Sequence, residues 1–151
     1  MELRVPPRLQ FGDVSLALDQ IVPADEGKGL VPFYHFHIVL PDGSIAGHLN
    51  FRVGDNEHIR FFAGNIGYTV QEGFRGHGYA YQACRAVEPF VRTIYPSVII
   101  TCDPENSASR RTIEKLGCVF LEKILVPPHD PQYARGSRSK LRYRWTPAPE
   151  L

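Results

Sequence analysis

No apolar run in this chain approaches the roughly 20 residues a helix needs to cross a bilayer, so no membrane partner is expected. An excess of charge is missing too: 17 Lys and Arg stand against 16 Asp and Glu, a net +1. A balanced chain has no overall pull towards nucleic acid or anionic lipid, and no nucleic-acid partner is expected. Cysteine is scarce. Cys84, Cys102 and Cys118 are odd in number and form no Cys-x-x-Cys pair, which speaks against a disulfide framework. Reduced, buried thiols in a cytoplasmic protein are expected instead. The first residues, MELRVPPRLQF, lack the apolar stretch of a secretory leader. Repeats and low-complexity tracts are also absent. What remains is an ordinary composition, 43% hydrophobic and 22% charged over 151 residues, suited to one domain, 1–151, with its own core.

Ile66 to Ala80, IGYTVQEGFRGHGYA, is the most informative stretch. Ile66 to Val70 reads as a strand. A glycine-punctuated loop, Arg75, Gly76, His77, Gly78, Tyr79 and Ala80, then opens a helix. Small residues at 76, 78 and 80 let a phosphate approach the backbone, and the unpaired N–H groups and dipole of the first helical turn favour its charge. The bland alternative is a glycine-rich turn before an ordinary helix. Downstream, TCDPENSASRRTIEKLGCVF follows a strand at 97–101. Asn106 or Ser107 is placed to cap a helix over 108–116, and Gly117 to end it.

Together these segments resemble the GCN5-related N-acetyltransferase (GNAT) family, whose pattern Arg/Gln-x-x-Gly-x-Gly/Ala is filled here by Arg75, Gly78 and Ala80. Its later element, Asn-x-x-Ser, a helix and Lys-x-Gly-Phe, is met by Asn106, Ser109, Lys115 and Gly117, with Cys118 in place of Phe. The resemblance covers about residues 64–120 well. It implies acetyl-CoA as cosubstrate, with the pyrophosphate on the 75–80 loop. The pantetheine arm would pair with the backbone of Tyr68, Thr69 and Val70 and reach Asn106 and Ser109. An N–H near Val70 would meet the acetyl carbonyl and stabilise the oxyanion. The bland readings are a plain core strand, a capping Asn and a common first-turn Ser.

The family's usual acid and base do not transfer. A tyrosine on the later helix corresponds to Ile113, and a glutamate on the fourth strand to about Gly64 and Asn65. The catalytic residues are therefore unassigned. Glu57, His58, Asp103 and Tyr133 are candidates, each read more simply as a solvent-exposed loop residue.

Strands are expected at 14–22, 32–40, 45–53 and 58–70, the last interrupted by Gly64 as a bulge. A helix starts at Tyr79, and Pro89 should kink or divide it. Strand 118–126, a long loop over 127–138 and a strand over 139–145 complete an α+β domain with a mixed, mostly antiparallel sheet and flanking helices. GNAT proteins place one or two helices between their first two strands, whereas here only about eight loop residues stand there, too few for a packed pair. That first helix pair is expected to be missing. The acceptor side should then be open, or be closed by a homodimer partner or by the 127–138 loop, with Tyr133 and Arg135 nearest the acceptor.

His35 and His37 share a strand face but lack a third ligand at motif spacing, so no metal is expected. Cys102 ends a strand beside the cleft without an activating base. Arg135, Arg138, Lys140, Arg142 and Arg144 read as alternating charges on a solvated last strand. The expected function is acetyl transfer to a small-molecule or peptide amine by direct attack on the thioester. A catalytically inactive acyl-CoA sensor or interaction module is the alternative. No Lys-Ser/Thr pair follows the glycines, which speaks against a nucleotide triphosphatase.

Overall fold

The computed structural model describes residues 3–148. Its strands are Leu9–Phe11 (β1), Val14–Val22 (β2), Phe33–Val39 (β3), Ile45–Arg52 (β4), Ile66–Val70 (β5), Val98–Cys102 (β6), Val119–Leu125 (β7) and Ser139–Trp145 (β8). The helices are Tyr79–Ile94 (α1), Ser107–Lys115 (α2) and the short Pro131–Ala134 (α3). One eight-stranded sheet runs in the order β1-β2-β3-β4-β5-β6-β8-β7, antiparallel except between β5 and β6. This is the mixed α+β architecture expected from the sequence.

Alternation sets the faces. Tyr34, Phe36 and Ile38 of β3 and Leu49 and Phe51 of β4 are buried, while the residues between them are only partly covered. The buried face receives α1 through Ala83, Cys84, Val87, Phe90 and Val91, spaced as one helical stripe. Phe90 sits edge-on to Tyr34 at 5.0 Å and to Phe51 at 6.1 Å, pairs worth about 0.5–1.5 kcal/mol each beyond their buried area. Helix α1 runs through Pro89 without dividing. Between β2 and β3 there is only a short turn over Glu26–Lys28, so the helix pair is absent and the opposite face of β3 and β4 is open.

Three expectations are corrected. Residues 58–63 are not strand. Asn56 Oδ1 accepts from the Ile59 N–H, and the chain winds a wide helical turn over His58–Ala63, closed by Gly64 N–H to Ile59 O at 2.8 Å. Gly64, at φ 73, ends it. Ile59, Phe62 and Ala63 are its buried residues, a spacing of three to four that no strand has. The last strand is not a solvated edge. It lies between β6 and β7, and Lys140 and Arg142 are buried with Leu141, Tyr143 and Trp145. Their charges are matched by Asp103 and Glu122. The 127–138 segment is not structureless either: Asp130 caps α3 and accepts a hydrogen bond from His58 at 2.7 Å. Strand β1 was not expected at all.

Candidate functional site

Strands β5 and β6 share only the register pair Ile66↔Ile100 and then part. Asn65 fixes the point of divergence. Its Nδ2 donates to the carbonyls of Arg52 and Gly54, both at 3.1 Å, and its Oδ1 accepts from the Ile99 N–H at 3.0 Å. Past this staple, the β5 edge from Gly67 to Val70 faces a wedge with no strand opposite it.

At the outer end of the wedge, Gly76 and Gly78 adopt φ 89 and φ 74, open to glycine at little cost. A Cβ at either would meet nothing within 4 Å, so the space above the loop is free. Helix α1 starts at the next residue with no side-chain cap, and its first N–H groups look into that space. Arg75 folds back, its Nε donating to the Val70 carbonyl at 3.0 Å. A groove of about 410 Å³ here is bordered by Arg75, Arg111 and Lys115. It shares Val70, Arg75 and Thr112 with a second stretch of about 340 Å³ that passes Tyr68, Thr69, Asn106 and Ser109. Those four residues in turn border a recess of about 330 Å³. Loop, wedge and recess are one channel.

Asn106 Oδ1 caps α2 by accepting from the Ser109 N–H at 3.1 Å. That turns the Ser109 hydroxyl into the wedge, where it shares a 2.8 Å hydrogen bond with the Tyr68 phenol. Burial, with Cys84 close by, pushes the Tyr68 pKa up, and the Ser109 bond offsets this only in part, so the phenol stays protonated. Burial likewise raises the Cys102 thiol, which keeps it from being a nucleophile at neutral pH.

The recess continues over the open sheet face. His48, Asn50 and Arg52 of β4 enter it from one side, Gln132, Arg135 and Lys140 from the other. Burial, then the charges of His35, His37, Arg135 and Arg52, hold the His48 pKa below its usual value. His48 is therefore a neutral imidazole at pH 7. Its neighbours His35 and His37 face Asp19. Among the described residues no group of three or more His, Cys, Asp or Glu is arranged to hold a metal ion.

The structure brings together Tyr68, Thr69, Val70, Arg75, Gly76, Gly78, Tyr79, Ala80, Asn106 and Ser109 along the channel. His77 does not border it; its ring stacks on Tyr79 instead. None of the four acid–base candidates borders the recess. Glu57 is exposed at the start of the wide turn. His58 is engaged by Asp130, Asp103 by Lys140 at 2.8 Å and Ser137 at 2.6 Å, and Tyr133 lies under the Arg138 guanidinium. Of the two acceptor-side residues expected from the loop, Arg135 reaches the recess and Tyr133 does not. His48, Asn50 and Arg52 were missed. Their signal was alternation with Leu49 and Phe51, which puts three polar side chains on the face that the missing helices leave bare.

Many solved structures share this fold. An acetyltransferase of the GNAT family from Bacillus anthracis superposes with a TM-score of 0.57 at 23% identity, over 74% of this chain and 65% of that one. The acetyltransferase from Agrobacterium tumefaciens strain C58 gives 0.63 at 19% identity, over 96% and 97%. The microcin C7 self-immunity acetyltransferase MccE, solved with acetyl-CoA and AMP, gives 0.56 at 17% identity, over 76% and 61%. The chain thus spans less than two thirds of the length of the first and third of these. No curated protein matches it significantly in sequence. Residues 13–119 match the model of the acetyltransferase (GNAT) domain. That match reaches well beyond the two motifs, from the second strand across both walls of the wedge, and this chain belongs to the GNAT acetyltransferase family.

Proposed function

We propose that the protein is an acetyl-CoA-dependent N-acetyltransferase. The observation that carries this is the continuous channel from the uncapped start of α1, past the unpaired edge of β5, into a polar recess. The coenzyme's pyrophosphate would lie on the N–H groups at Gly76 to Ala80, with Arg75, Arg111 and Lys115 around its phosphates. Its pantetheine arm would follow Thr69 and Val70 towards Asn106, which brings the thioester to the mouth of the recess.

An acceptor amine in the recess attacks the thioester carbonyl carbon directly. Neutral His48 takes the proton that the nitrogen loses. The oxyanion is stabilised by the N–H near Val70, the C–S bond breaks, and the departing thiolate accepts a hydrogen bond from the Tyr68–Ser109 hydroxyl pair and takes up, through solvent, the proton that His48 releases. Products are the N-acetylated amine and coenzyme A, and no enzyme thiol is acylated. Solved relatives include a ribosomal L7/L12 alpha-N-protein acetyltransferase, an enzyme whose acceptor is also an amine.

One observation favours the alternative, an acyl-CoA sensor. Ile113, at the family's tyrosine position, is fully buried, and Asn65, at about its glutamate position, is spent on backbone bonds. Turnover separates the two readings, and its pH profile tests the role of His48. Attack needs a neutral amine, so log kcat/KM should rise with unit slope up to the amine's pKa. The folded pKa of His48 is depressed, so the imidazole is lost as a base only below its unfolded value of about 6.5. Once the pH falls below that depressed folded pKa, the slope should steepen to two. His48→Gln should lower kcat/KM on the order of 10²-fold and return the slope to one. An unchanged profile in His48→Gln would remove this residue from the chemistry.

A further inference from the structure

We propose that the recess selects an acceptor amine that also carries an oxyanion, a carboxylate or a phosphate, seated on Arg52 and Arg135. The inference rests on reading the recess as the acceptor side. No Asp or Glu borders the recess, whereas Arg52, Arg135 and Lys140 do. Lys140 is neutralised by Asp103 at 2.8 Å. Arg52 and Arg135 have no carboxylate within salt-bridge distance among the described residues.

Arg52 is held in place. Its Nη1 donates to the carbonyls of Ala63 and Gly64 at 3.2 and 3.3 Å, which orients the guanidinium without neutralising it. A Cβ on Gly67 would fall 2.8 Å from Nη2, so the facing strand carries its glycine where the guanidinium lies. Burial, then the Arg135 charge, pushes the Arg52 pKa down to about 10, as expected for a partly buried cation facing a like charge with no counter-ion. The coenzyme's phosphates do not explain the pair, because Arg75, Arg111 and Lys115 stand at the other end of the channel. A simple ammonium or a polyamine meets only positive charge in the recess. An amine with an attached oxyanion brings the missing partner, and a planar guanidinium matches a carboxylate or phosphate edge with paired hydrogen bonds.

The test is a matched acceptor panel with acetyl-CoA: glycine, β-alanine and 2-aminoethyl phosphate against glycinamide, ethanolamine and 1,4-diaminobutane. Rates are compared at equal concentrations of neutral amine. The anionic acceptors should lead by about ten-fold or more in kcat/KM. The carboxylate and phosphate arms show which oxyanion the seat prefers. In Arg52→Gln and in Arg135→Gln the glycine-to-glycinamide ratio should fall towards one. Position 135 is exposed, so that variant reports without risk to the fold. Equal or better use of glycinamide or the diamine, or a ratio that neither variant moves, overturns the proposal while leaving the transferase reading intact. If acetyl-CoA binds but no amine is acetylated, the transferase reading fails, and the seat is judged by melting the coenzyme A complex with N-acetylglycine or its amide. A rise in Tm with the acid alone, absent in Arg135→Gln, supports the seat. No such rise removes it.

Discussion

Gly78→Val should abolish the stabilisation that acetyl-CoA gives the fold. A ligand that binds only the native state at 100 times its Kd adds about 2.7 kcal/mol and raises Tm accordingly. Gly78 stands at φ 74 directly before α1, with open space where a Cβ would go. In the free protein a Cβ there meets no neighbour and the left-handed backbone costs about 1–2 kcal/mol, so the variant should fold. In the complex the same side chain occupies the space proposed for the pyrophosphate. Gly43→Val separates strain from obstruction. Gly43, in the β3–β4 turn, has φ 87 and equally open space, so it should lose similar stability yet keep the full shift with acetyl-CoA. A Gly78→Val protein that still gains the wild-type shift would place the coenzyme elsewhere.

Asn65→Ala should cost about 3–4 kcal/mol and open the wedge. Three buried side-chain hydrogen bonds disappear, and the Ile99 N–H with the carbonyls of Arg52 and Gly54 lose these partners away from water. Asn65→Asp preserves the size but loses both donors and buries a charge at a site only 6% exposed, so it should do no better. Urea unfolding reads the loss as a lower midpoint at unchanged slope. Because Asn65 sets where β5 and β6 part, affinity for acetyl-CoA should fall as well. A loss under about 1 kcal/mol would show that the strand pairing holds the divergence without it.

Much of this architecture was legible in local chemistry. The alternation in β3 and β4, the Gly76–Gly78 loop and the Asn106 cap act over a few residues, and the same residues occupy those roles in the fold. The failures share a different cause. Lys140 and Arg142 alternate with apolar residues as a solvated strand would, yet they are buried because Asp103 and Glu122, distant in sequence, neutralise them. His58–Ala63 carries β-formers, but Asn56 and Gly64 fix both ends of a wide turn that its tertiary packing rewards. His48 looks in the sequence like any polar residue on an outward strand face. Only burial in the recess and the charged neighbours that the fold brings to it give its imidazole a depressed pKa.

The most direct measurement of the account is the fate of the acetyl group. Protein, acetyl-CoA and glycine are incubated together, and free thiol, N-acetylglycine and the intact mass of the protein are recorded from the same sample. The account predicts thiol and N-acetylglycine in equal amounts and a protein of unchanged mass. Acetyl-CoA that binds and is recovered intact with every amine of the panel would contradict it, and would make the protein a sensor on a transferase fold.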